Sequence, residues 1–411
     1  AGYGVIPGVP PGRLLINYSN VAYIDTANDT LDLGADLGGR GDVAYAAANT
    51  RLQLRLTNMA PWNPSLDEIR YIVPNTGSDY SVGGQPTGAT FFDGGFNYEG
   101  AELVNASRGD LVYLAQFRYE TLPAPGTDAG FLINDRSETN ATVSNVTMVN
   151  AFDNTISAAL SATNRNQSSS LDFRRSEMAA LRASVNPAST VNAAQVRVRE
   201  LAFNANRGHG LDNVGLGSVR IATVFGPGSD TTNVTTTFTW ANLNATFPVI
   251  GEALMQYSNT YPLIGGGTAT LGGLVYSSNT LPAFFQSPQR HIIQPVTNLT
   301  IAGSDGFMPV SLTTLTPVIS WTAAAGATAY YVTVDRIFDN AGTPSAQTAA
   351  LIRTNQTQVT VPAGALVGPN RYVVTVRAIS SASGDAVNAP FRPGGYPYGF
   401  AETLSATVIA P

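Results

Sequence analysis

The sequence predicts an all-β protein made of β-sandwich domains, with one amphipathic helix near residues 170–185. Three observations carry that expectation. Short runs alternating apolar with polar residues recur along the 411-residue chain, the period of a half-buried strand. Clusters such as GADLGGRGD and PNTGSDYSVGGQPTG separate those runs and read as turns and loops. Hydrophobic residues make up 44% and charged ones 12%, and the 40 Gly and 25 Pro follow no Gly-X-Y period. Such a chain is folded, being neither disordered nor collagen-like.

The strand-like runs are, in order, Arg13–Asp25, Thr50–Thr57, Glu68–Val73, Asp110–Glu120, Ala141–Val149, Gln195–Glu200, Ser218–Val224 and Thr231–Trp240. One segment breaks the pattern. Ser170–Val185 lacks Gly and Pro and places Leu171, Met178, Leu181 and Val185 on one helical face. Ser169 or Ser170 is expected to cap it, and Asn186-Pro187 to end it. Its Arg174 and Arg175 read as a solvated face or as partners of carboxylates. The segment Leu281–Pro295 holds three prolines, so a domain boundary is placed near its end. This leaves a large β-rich part, residues 1–294, as one body or two sandwiches, and a C-terminal domain, residues 295–411.

The C-terminal part carries more specific motifs. Pro317–Trp321 reads as a strand with a buried Trp. Gly326-Ala-Thr-Ala-Tyr330-Tyr331-Val-Thr-Val334 reads as a turn and an alternating strand. Then come Gln358–Val361, a Leu366-x(5)-Tyr372 corner leading into Val-Val-Thr-Val376, and a last strand over Leu404–Ile409. From about residue 296 onward the chain resembles a fibronectin type III domain. The resemblance implies a seven-stranded sandwich acting as a spacer or binding module, with the Tyr372 hydroxyl bonded to nearby backbone. The sequence departs from that pattern between its last two strands, where Ser380–Glu402 is far longer than a hairpin loop. Its aromatics Phe391, Tyr396, Tyr398 and Phe400 are candidates for a contact surface, stacking on sugar or entering a neighbouring subunit. The competing reading is that they fold back over the sandwich.

Composition excludes several chemistries. There is no Cys, hence no disulfide, thiolate metal site or Cys nucleophile. All 22 basic residues are Arg, so P-loop lysines and lysine Schiff bases are absent. The net charge is −6 with no basic block, which argues against nucleic acid as a partner. No apolar run is long enough for a transmembrane helix. The opening Ala1-Gly2-Tyr3-Gly4 fits a mature N-terminus whose signal peptide has been removed. Asn-x-Ser/Thr triplets, as at Asn17 and Asn355, weakly support an extracellular or cell-surface location.

Candidate chemistry is sparse. Asp25, Asp29, Asp32 and Asp36 are dense enough to offer oxygen ligands to calcium, although the spacing is not that of an EF-hand. A solvated acidic turn is the competing reading, and Asp128, Asp135 and Glu138 form a weaker second group. His209 and His291 stand alone, as structural residues would. Ala302-Gly-Ser304-Asp-Gly306 reads as a turn and not a nucleophile elbow, and Arg40-Gly41-Asp42 as a chance tripeptide. No catalytic residue is nominated, and the protein is expected not to be an enzyme. The first expectation is a secreted or cell-surface structural protein working through protein–protein contacts. It would self-assemble into a filament or layer through strand edges, the Gly/Pro-rich arm of residues 1–12 and the aromatic loop. The partners would be further copies of the chain or other surface proteins. A carbohydrate-binding or adhesive protein is the first alternative, and a polysaccharide-processing enzyme with an accessory sandwich the second.

Overall fold

The computed structural model describes residues 12–34, 42–76, 78–121, 133–164, 166–201, 218–227, 232–241, 249–281, 283–391 and 394–411. The chain is all-β, about half strand and very little helix. The described residues begin with a hairpin, β1 (Leu14–Ser19) and β2 (Ala22–Thr26), where the sequence suggests a single strand. The polar pair Ser19-Asn20 breaks the run, and the chain folds back at Asn20-Val21.

A first sandwich follows, from β3 (Arg51–Thr57), β4 (Asp67–Val73), β5 (Ser78–Val82), β6 (Phe92–Asn97), β7 (Val112–Thr121), β8 (Ile133–Val143), β9 (Asp153–Ala159) and β10 (Ser161–Ala162). One sheet has the order β6-β3-β9, the other β10-β8-β7-β4-β5. Alternation sets the faces: Leu52, Leu54 and Leu56 of β3 point inward and meet Ile69, Tyr71, Val73 and Leu114 in a common core. The strand expected over Ala141–Val149 lies earlier, at Ile133–Val143.

The central part comprises β11 (Gln167–Phe173), α1 (Arg175–Ala180), α2 (Arg182–Val185), β12 (Thr190–Leu201), β13 (Ser218–Pro227), β14 (Val234–Trp240), β15 (Val249–Pro262) and β16 (Thr268–Thr280). A 3-10 turn at Ala283–Gln286 follows. The helix is present but begins at Arg175, because Gln167–Phe173 pairs in register with β14. Ser169 therefore accepts a hydrogen bond from Trp240 Nε1 at 2.9 Å and caps nothing. Met178, Leu181 and Val185 are buried as their spacing predicts. The chain leaves the helix at Asn186, whose side-chain amide donates to the carbonyls of Leu404 and Ser405.

The C-terminal part contains β17 (Thr297–Ile301), β18 (Ser304–Asp305), β19 (Val310–Ser311), β20 (Val318–Thr322), β21 (Ala329–Asn340), β22 (Thr343–Thr354), β23 (Gln358–Thr360), β24 (Arg371–Ser381), β25 (Tyr398–Leu404) and β26 (Val408–Ile409). A sheet β18-β17-β20-β23 packs against β22-β21-β24-β25, forming a sandwich. Trp321 is buried edge-on to Tyr330, ring centroids 5.2 Å apart. The Tyr372 hydroxyl accepts from Val367 N at 2.8 Å and donates to Val367 O at 3.0 Å, the corner expected from the motif. β21 and β22 join through Ala341-Gly342, both with positive φ (51° and 86°), as a two-residue primed hairpin turn requires.

This sandwich is not separate from the central part. Among the described residues a twelve-stranded sheet runs β1-β2-β22-β21-β24-β25-β16-β15-β12-β13, with β19 and β26 joined off that path. It crosses from the central part at β16–β25, from Val275↔Ala401 to Ser278↔Tyr398. It reaches the N-terminal hairpin through the parallel pair β2–β22. One face covers the main core, and the other covers a second cluster that includes Ile24, Leu254, Tyr276, Tyr331 and Phe400.

Candidate contact surface

The acidic turn and the aromatic segment, far apart in sequence, meet on this second face. Asp25 lies in β2, where Arg13 Nε approaches Oδ1 to 2.6 Å and Thr354 Oγ1 donates to Oδ2 at 2.8 Å. It is thus a strut tying the hairpin to the end of β22. Asp29 is exposed and accepts from Thr30 Oγ1. Asp32 Oδ1 accepts from Gly34 N, and its own N–H donates to Asn388 O at 2.8 Å. Asp36 lies outside the described residues. Among the described residues no group of three or more acidic or imidazole side chains gathers as metal ligands would.

Asn388 is the junction between the two segments, because its Oδ1 also accepts from Thr26 Oγ1 at 2.6 Å. Beside it, Phe391 is half-buried and edge-on to Tyr18 at 5.8 Å. The Arg353 guanidinium lies between Tyr331 (4.6 Å), Phe391 (5.1 Å) and Tyr18 (5.8 Å). It donates to Tyr331 Oη and is 9% exposed, so rings and hydroxyl solvate the cation in place of water. Burial of the Tyr18 hydroxyl raises its pKa, with Arg353 opposing.

The expectation of an exposed aromatic surface is corrected at two of four positions. Tyr398 and Phe400 belong to β25, 7% and 0% exposed, and Phe400 stacks on Tyr276 at 5.2 Å. A strand paired on both sides and covered on both faces has no side left for solvent, which is why these rings are core. Tyr396 is half-buried, and burial pushes its pKa up. The segment folds back over the sheet: Tyr331 Oη donates to Ala386 O at 3.0 Å, fastening it.

Buried charges elsewhere are braced internally. Glu252 accepts from Arg199 Nε (2.7 Å) and Tyr276 Oη (2.8 Å), and Asp67 takes Arg118 Nε (2.6 Å) and Gln116 Nε2 (2.9 Å). Such closed pairs hold strands together. Burial lowers the pKa of His291, with Arg290 adding to that and Glu177 opposing it. Asp305 forms the expected turn, accepting from Phe307 N. Asp42 pairs with Arg108 at 3.1 Å, and Asp135 and Glu138 sit on β8. His209, Asp128, Arg40, Gly41 and residues 1–11 of the arm lie outside the described residues.

Sequence reading names strand edges as contacts without placing one; the structure places one at β1. β1 ends the twelve-stranded sheet, and among the described residues nothing pairs with its outer side. Leu14–Ser19 carries no charge, and Leu15 is 44% exposed. The flanking Arg13 is committed to Asp25 and Thr354. A bulge at Tyr18 leaves Leu14–Asn17 regular.

Among the described residues no helix is long and apolar enough to cross a membrane. No family model matches the chain, and no curated protein matches it. Among solved structures, the crystal structure of chicken CNTN1 FN1-FN3 domains is 9% identical, with 85% of this chain and 90% of that one covered, at a TM-score of 0.16.

Proposed function

We propose that this is a secreted or cell-surface structural protein that acts through protein–protein contacts and self-assembles through the β1 edge. The observation that supports it best is the charge-free outer edge of the twelve-stranded sheet. An edge strand presents a row of unpaired N–H and C=O groups, and proteins that stay monomeric blunt it with charge, Pro or a cover. Here the chain has no Lys at all, and β1 has no Arg, acid or Pro. Addition of a neighbour's strand satisfies those groups and extends the sheet. The C-terminal sandwich, read as fibronectin-type-III-like from its Trp321 and Tyr372 motifs, serves in this reading as a scaffold and not as a catalytic domain.

The test is sedimentation velocity with negative-stain electron microscopy on the full chain and on Leu15→Glu. The wild type is expected to form concentration-dependent assemblies, and the variant, with a carboxylate on the edge strand, to remain monomeric. A wild type that stays monomeric at high concentration, with calcium and with a chelator, rejects the reading.

A further inference from the structure

We infer that the outer face of the three-stranded sheet β6-β3-β9 is a binding site for a neutral oligosaccharide. It lies on a different sheet from the β1 edge and stands independently of it. The inner row of β3 is Leu52, Leu54 and Leu56, so the outer row is Arg51, Gln53 and Arg55. Register places Asn97 and Asp153 on either side of Arg51, and Gly95 and Thr155 on either side of Gln53. Gly95 has no side chain, and a trough of about 430 Å³ opens over Arg51, Gln53, Gly95, Asn97 and Asp153.

The two ends of the row differ. Around Arg55 the groups satisfy one another: Gln53 Nε2 donates to Asp93 at 2.6 Å, and Arg55 lies 3.8 Å from the same carboxylate. Around Arg51 they do not. Neither the Arg51 guanidinium nor the Asp153 carboxylate has a hydrogen-bond or ion-pair partner among the described residues, and both residues are exposed. Asn97 uses its oxygen to accept from Glu99 N. The open end thus offers guanidinium donors, carboxylate acceptors and a side-chain amide on one face of the sheet.

That mixture selects the ligand. One cation and one anion opposite each other cancel, so a phosphate or an oligocation gains nothing net from the trough. A hydroxyl donates and accepts at once, and planar Arg, Asp and Asn groups can each take it on one side. The Phe152 carbonyl, just before Asp153, accepts from Arg51 N at 3.2 Å and fixes the start of β9 beside Arg51. The row from Arg51 to Arg55 spans roughly 13 Å at strand rise. That is the reach of a short chain of sugars.

The test is saturation-transfer NMR on the full chain with short neutral glucans, galactans, mannans and chitin fragments, followed by titration of any that respond. At least one is expected to bind, and Arg51→Ala with Asp153→Ala to weaken it at least about tenfold. Both positions are exposed, so circular dichroism should show the variant folded. No transfer from any neutral oligosaccharide overturns the inference, as does binding unchanged in the double variant or a response confined to acidic saccharides or phosphate.

Discussion

The hydroxyl of Tyr372 holds both the N–H and the C=O of Val367, so Tyr372→Phe strands two backbone groups at once. A loss of about 1–2 kcal/mol is expected, read from urea unfolding of the two proteins. His291 makes a prediction of opposite character. Burial is the larger cause of its lowered pKa, so the unfolded chain takes up its proton at a higher pH than the native one. Stability then falls as pH drops through the unfolded value of 6.5 toward the folded one. His291→Gln should flatten the stability–pH curve in that window. An unchanged slope would mean that the imidazole is solvated in the native state.

Single residues acquire such roles through the elements that carry them, and the aromatic segment separates the two cases. Phe400 is fully buried on a central strand, so Phe400→Ala should cost about 3–5 kcal/mol. Phe391 is half-buried on the covering segment, and Phe391→Ala should cost about 1 kcal/mol. Equal losses in thermal unfolding would contradict this division. The distinction was not legible in the sequence, because every residue of β25 is buried and a strand covered on both faces does not alternate. β3, with one buried face, alternates and was legible. At 170–173 the start of the expected helix is held as strand by β14, tertiary pairing overriding local preference. β22, rich in Ala, Thr and Ser, takes its conformation from β21 and β2 on either side, and the sequence reading passes over it from Val334 to Gln358. The candidate residues were found individually, but Arg353 and Asn388, which join them, carry no sequence signal. Their importance lies in what packs against them.

At the scale of the molecule, the sheet decides how the parts depend on one another. The domain boundary proposed near residue 295 falls in a proline-rich connection, yet hydrogen-bonded pairs cross from β16 to β25. Leu254 and Tyr276 of the central part complete the cluster around Phe400 and Tyr398. Asn186 donates to the backbone at Leu404 and Ser405, and Tyr261 Oη to Ser405 O at 3.1 Å. A fragment of residues 295–411 would therefore keep its own sandwich core while exposing one edge of β25 and the ring of Phe400. On area alone, uncovering rings of this kind costs on the order of 3 kcal/mol. The fragment should melt well below the transition of the same residues in the full chain, and should associate through the newly opened edge. Calorimetry of the fragment beside the full chain decides between the alternatives. A fragment melting at the same temperature and remaining monomeric would make the shared sheet a mere juxtaposition of two independent sandwiches. A lowered transition that recovers when residues 166–294 are restored would make the central and C-terminal parts one cooperative body.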